Sequence, residues 1–139
     1  MLNLLQAIRS KISGSALSAS VGDRIFPDEY PASMGAPVFP YCIYFIVSDV
    51  PDNVFVKNGE SVLLQFSLFS SSESLIEISA ILSSLRTLFD DCSLSITGSN
   101  LVWFKREGFQ PMVEGGTTTE GATRIKHWAQ DYEISTQAT

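Results

Sequence analysis

Residues 61–89 read SVLLQFSLFSSSESLIEISAILSSLRTLF, and the hydrophobic period changes halfway through the run. The even positions Val62, Leu64, Phe66 and Leu68 are all apolar, whereas the odd positions Leu63, Gln65, Ser67 and Phe69 are mixed. Period-two alternation marks a strand with one face on a core. Leu75, Ile78, Leu82, Leu85 and Phe89 then recur at steps of three and four, flanked by Ile81 and Leu88, as one stripe of a helix. Ser70-Ser71-Ser72-Glu73 fits a capping box, which predicts a helix over residues 72–89. Roughly nine strand residues span about 30 Å, and roughly eighteen helical residues span about 27 Å. The helix is long enough to lie back along the strand it follows.

Upstream, Leu2, Leu5, Ile8 and Ile12 mark a short amphipathic helix closed by Ser13-Gly14. Residues 15–20 read as a turn or an extension of that helix. Val21-Gly22-Asp23-Arg24-Ile25-Phe26-Pro27 follows, with Ile25 and Phe26 as a short apolar plug. Prolines at 27, 31, 37 and 40 make the next stretch an extended arm. Residues 41–48 form a strand whose two faces, Tyr41, Ile43, Phe45 and Val47 against Cys42, Tyr44 and Ile46, are both apolar. Such a strand has to be covered twice: by the long helix on one side, and by the N-terminal helix, the arm or a neighbouring subunit on the other. Residues 49–60 form a turn-rich connection holding Val54, Phe55 and Val56, which either extend a hairpin or contact a partner.

Downstream, Asp90 and Asp91 read as a solvated turn, Gly98-Ser99-Asn100 as a second turn, and Leu101-Val102-Trp103-Phe104 as the start of a strand. Residues 108–123, rich in Gly and Thr and carrying Glu114 and Glu120, read as the longest loop. The last strand, 124–135, sets Lys126, Trp128, Gln130, Tyr132 and Ile134 on one face and Ile125, His127, Ala129, Asp131 and Glu133 on the other. The expected architecture is a single α+β domain over residues 1–139: a four-stranded, mainly antiparallel sheet, one long helix packed on it, and a short N-terminal helix.

The chemistry-bearing residues are sparse. Fifteen acids stand against nine bases, giving a net charge of −6, and no stretch concentrates Lys and Arg. Gripping nucleic acid by phosphate neutralisation is therefore not expected. No apolar run spans a bilayer, and Arg9 and Lys11 follow the N-terminal apolar residues, the wrong order for a signal peptide. A soluble product made in the cytoplasm is expected, with Cys42 and Cys92 as reduced thiols. His127 is the one histidine, and no nucleophile elbow, phosphate loop or Cys/His cluster accompanies it. It reads as a strand residue on the solvated face, and a Cys92–His127 dyad as the weaker alternative. No cofactor, metal or catalytic residue is assigned.

The order of elements and the run Arg24-Ile25-Phe26-Pro27 resemble the small tail-completion, or tail-terminator, proteins of long-tailed bacteriophages. The resemblance covers nearly the whole chain, including the aromatic strand entered through Pro40-Tyr41, the Ser-capped helix, and the closing strand with Trp128 and Tyr132. It implies a non-enzymatic structural subunit of the virion. That subunit would form a homo-oligomeric ring, usually a hexamer, at the head-proximal end of the tail. Its partners would be the tail tube protein and the head–tail connector, with DNA passing through unbound and no membrane involved. Arg24, Phe26, Tyr44, Val54, Phe55, Val56, Glu114 and Glu120 are the residues expected at subunit or partner interfaces. The alternatives are another neck or minor tail adaptor, such as a head-closure protein, and a small ligand-binding or enzymatic α+β domain.

Overall fold

The computed structural model describes residues 1–52, 58–114 and 125–139. Two short helices open the chain, α1 (Leu2–Ile12) and α2 (Ala16–Ser20), followed by a three-residue strand β1 (Ile25–Pro27). An arm with one 3₁₀ turn, Ala32–Met34, leads into strand β2 (Tyr41–Pro51). Strand β3 (Gly59–Ser70), helix α3 (Leu75–Phe89), strand β4 (Ser99–Glu114) and strand β5 (Ile125–Ala138) complete the chain. The sheet order is β1-β2-β3-β5-β4. All neighbours are antiparallel except β1, which runs parallel to β2.

The sheet therefore has five strands rather than the expected four. The additional one is the apolar plug Ile25-Phe26-Pro27. The Arg24 carbonyl accepts from the Cys42 amide at 2.9 Å, and the Asp28 amide donates to the Tyr44 carbonyl at 2.9 Å, which fastens both ends of β1 to β2. Three residues cannot display a period, so nothing in the local pattern distinguishes this strand from a loop.

Helix α3 begins later than the capping signal at Ser70. Ser74 is the cap, its hydroxyl accepting from the Ile76 amide at 3.1 Å. Ser70 instead caps the end of β3: its hydroxyl accepts from the Ser72 amide and donates to Glu77 Oε1 at 2.7 Å. Leu75 consequently lies in the first turn and is exposed, while Ile78, Ile81, Leu82, Leu85 and Phe89 are buried.

The largest departure is β4, which continues through Gly108 and Pro111 to Glu114, where a loop was expected. Proline is tolerated because β4 is an edge strand. Between Arg106 and Phe109 the pairing with β5 slips by one residue. The inserted residue changes which parity faces inward, so that Phe104 and Phe109 both reach the core side.

The core lies between the helices and one face of the sheet. Leu4, Ile8, Ile12, Leu17 and Val21 pack from the N-terminal helices, with Cys42, Tyr44, Val62, Leu64, Phe66, Leu68, Phe104, Tyr132 and Ile134 from the strands. Phe66, Phe89, Phe104 and Tyr132 form its aromatic centre, with ring centroids 4.9–6.2 Å apart. The second face of β2 is covered by the arm: Tyr30 meets Tyr41 edge-on at 5.0 Å, and Phe39 meets it at 5.2 Å.

Candidate functional site

Arg24 is half-buried at the root of the arm. Its Nε donates to the Pro40 carbonyl at 3.0 Å and one terminal nitrogen to the Phe39 carbonyl at 3.5 Å. The guanidinium thus binds the two ends of the arm together. Gly22 makes room for it at φ +59, since a Cβ there would sit 2.7 Å from Arg24 Nη1. Phe26 turns to the face of the sheet away from the helices and meets Tyr30 edge-on at 4.9 Å.

Tyr44 is only 3% exposed and lies in the core against Phe66, so it does not offer the free surface expected of it. The reason is parity. Cys42, Tyr44 and Ile46 share the helix-side face of β2, and burial raises the Tyr44 phenol's pKa against the lowering pull of Arg9. Glu114 ends β4, its backbone paired with Ile125. Val54, Phe55, Val56 and Glu120 lie outside the described residues.

The outer face of the sheet has an aromatic end and an acidic end. Tyr41, Phe69, His127 and Met112 share one register row across four strands. Tyr41 stacks on Phe69 at 4.7 Å, and Phe69 stacks on His127 at 4.3 Å. Two rows further along, Asp131 accepts from Gln65 at 2.9 Å. Beside it the Glu107 carboxyl is held above its usual range, chiefly by a hydrogen bond shared with Glu133.

Two polar links on the helix side carry no sequence signature. Buried Gln130 accepts from Arg86 at 2.8 and 3.1 Å and donates to the Gly108 carbonyl at 3.0 Å, fixing the β4 bulge. Asp90, expected in a solvated turn, accepts from the Tyr132 hydroxyl at 2.8 Å and pairs with Arg106 at 3.4 Å. An amide among the inward residues of β5 was the one available hint of the first link.

None of this constitutes reaction chemistry. Burial raises both thiols, Cys92 to about 11, which leaves neither a ready thiolate. Cys92 packs on the helix side of the sheet and His127 on the opposite face, so the two form no dyad. Among the described residues no group of three His, Cys, Asp or Glu could hold a metal, and no helix is long and apolar enough to cross a membrane.

Comparison with known proteins agrees with this picture of a scaffold. A chain in the virion of a native gene transfer agent particle has the same fold, with a TM-score of 0.72 and 12% identity over 96% of this chain and 93% of that one. A second solved chain aligns at a TM-score of 0.50 and 11% identity, over 94% of each. No curated protein matches. The family model described as tail completion protein gp17 matches residues 6–137. The chain belongs to this tail completion family, and is a structural protein of the phage tail in the virion rather than an enzyme.

Proposed function

We propose that this protein is the subunit of a hexameric ring that closes the head-proximal end of the tail tube and joins the tail to the head connector. The family match over residues 6–137 carries the reading, because it takes in all but the outermost residues of the fold. Two features of the chain support it. Large apolar side chains stay exposed at the sheet ends and at the start of α3, with Ile76 78% exposed, which is surface of the kind that assembly covers. The bases are few and the net charge is −6, which suits a passage through which DNA slides without adhering. The similar chain from the gene transfer agent is itself part of a virion.

Deleting the gene from its phage tests the proposal. The expected result is overlong tails, or tails without heads, restored by supplying the protein in trans; normal virions would overturn it. Light scattering on the purified protein should give about six times the 15.2 kDa subunit mass, and binding to tail tubes should add the same mass per tube end.

A further inference from the structure

Neither edge of the sheet suits the addition of another strand. On the β4 side the Asp91 amide donates to the Phe104 carbonyl at 3.2 Å and the Ser99 amide to the Ile96 carbonyl at 3.4 Å, so residues 91–96 lie along residues 99–104. Further on, β4 is broken by the bulge at Glu107 and Gly108 and then by Pro111. On the other side β1 covers Cys42, Ile43 and Tyr44 of β2. The rest of that edge holds a bulge at Val47 and then Pro51. A neighbouring chain therefore has faces, not edges, to pack against.

The two faces of the subunit differ in charge. Among the described residues, the helices lie on one side of the sheet and the ring contacts of the arm stop at Tyr41 on the other. The outer face beyond Tyr41 is left bare, with Phe45, Leu63, Val50 and Trp103 beside Asp131 and Glu133. Phe45, Leu63 and Trp103 are half-buried, and Val50 is 56% exposed. Glu107 joins the two acids, its carboxyl held above the usual range by the hydrogen bond shared with Glu133 and by Asp131 nearby. Lys105 is the one described base on this part of the face, 4.5 Å over the Trp103 ring. The N-terminal helices, on the opposite layer, have the reverse character. All fifteen acids of the chain lie at or after Asp23, whereas residues 1–22 hold Arg9 and Lys11. Arg9 is exposed, with one hydrogen bond to the Tyr44 hydroxyl, and Lys11 is half-buried beyond the apolar stripe of α1. Leu2 on the same helix is 67% exposed.

We infer that the bare outer sheet face of one subunit seats α1 of a second copy, with Arg9 and Lys11 meeting the carboxylates of Glu107, Asp131 and Glu133, and Leu2 meeting the apolar side chains beside them. Complementary surfaces on opposite layers cannot meet within one subunit. Between subunits they make a heterologous contact, which closes into a ring when the rotation per step divides the circle. Exposed ion pairs add little affinity. Their part is to select which surface meets which, while the apolar side chains supply the burial. This inference rests on the ring proposed above and names the surfaces that build it.

Charge exchange tests it. Glu107→Lys with Glu133→Lys makes the outer face basic, and Arg9→Glu with Lys11→Glu makes α1 acidic. Each double variant of the full chain should shift light scattering from the mass of the ring to that of the 15.2 kDa subunit. Where the ring forms only on tail tubes, each should lose the bound ring. Mixing the two variants, or combining all four reversals in one chain, should bring the ring back, which a merely structural role of these residues would not do. Thermal melts show that each variant is folded. Where a reversal does not fold, Gln at the same two positions takes its place and should weaken assembly. Rings from every variant, or loss of the ring with no recovery on mixing or combination, would overturn the face contact and leave the ring standing. Particles of twice the subunit mass, with outer face on outer face, would overturn it as well. An unmodified chain that stays monomeric even on tubes would overturn both the contact and the ring.

Discussion

Gly22 occupies a left-handed backbone conformation at φ +59 beneath the Arg24 guanidinium. Gly22→Ala should cost about 2 kcal/mol in urea unfolding, of which roughly 1–2 kcal/mol is the left-handed penalty for a residue with a Cβ. The remainder comes from displacing Arg24 from the Pro40 carbonyl. In an Arg24→Ala background only the backbone part should remain, so a double-mutant cycle separates the two. Tyr132 makes a second residue-scale case. Burial, with Asp90 beside it, raises its phenol above the ordinary 10.0, and burial lifts the Cys92 thiol from 9.0 to about 11. The unfolded chain releases these protons at lower pH than the folded chain does. Stability is therefore complete below pH 9 and falls as the pH rises, first through the Cys92 range and then beyond 10 as Tyr132 resists ionisation. Tyr132→Phe should lose about 1.5–3 kcal/mol near neutral pH, the value of a hydrogen bond to a charged group. It should also show a shallower alkaline decline in denaturation measured from pH 8 to 11.

At the scale of elements, the one-residue slip in β4 offsets the inward parity of its second half from that of its first. Phe109 meets Trp128 edge-on at 5.4 Å and lies 5.2 Å beneath the Arg86 guanidinium, just past the extra residue at Glu107 and Gly108. Deleting Glu107 should remove the bulge yet leave Phe109 opposite Gln130 on the core side, whereas Phe109→Ala should cost on the order of 3 kcal/mol, the loss of a large core side chain, seen as a lower urea midpoint and a shifted Trp128 fluorescence. The same slip explains what sequence reading could and could not recover. The strand 62–69 and the helical stripe from Ile78 to Phe89 were legible because their periods are unbroken. β4 was not legible past Arg106, because Gly108 and Pro111 are loop residues by local preference and only the position at the sheet edge makes them acceptable in a strand. The capping signal lies one turn ahead of the real cap, Ser74, because four consecutive residues, 70–73, offer three serines and a glutamate. Arg24 stood out within its motif, yet its partners are two backbone carbonyls fifteen and sixteen residues away. Both faces of the strand that carries Tyr44 are apolar, and local pattern does not tell which face the helices take.

Across the whole molecule, the disposition of charge bears directly on what the assembled protein does to DNA. Fifteen acids outnumber nine bases, and most of the described bases are already engaged within the subunit. Arg24 holds the arm, Arg86 holds Gln130, and Arg106 pairs with Asp90. Lys105 lies 4.5 Å over the Trp103 ring, and Lys126 donates to the Ser72 carbonyl. Among the described residues that leaves Arg9, hydrogen-bonded to the Tyr44 hydroxyl, and Lys11, too few to build a phosphate track. Proteins that bind duplex DNA without sequence preference reach dissociation constants of roughly 10⁻⁴–10⁻⁶ M at physiological salt by neutralising several phosphates. This chain should therefore leave a duplex unretarded in a gel at roughly 50 mM salt, a condition that favours such binding, even at tens of micromolar protein. Glu107→Lys with Glu133→Lys reverses two charges on the acidic end of the outer sheet face and raises the net charge from −6 to −2. If repulsion from the acidic surface is what keeps DNA free, this variant should begin to retard the duplex and lose the effect as salt is raised. Retardation by the unmodified protein, abolished by the same rise in salt, would mean that the bases tied to internal partners are available to phosphate after all.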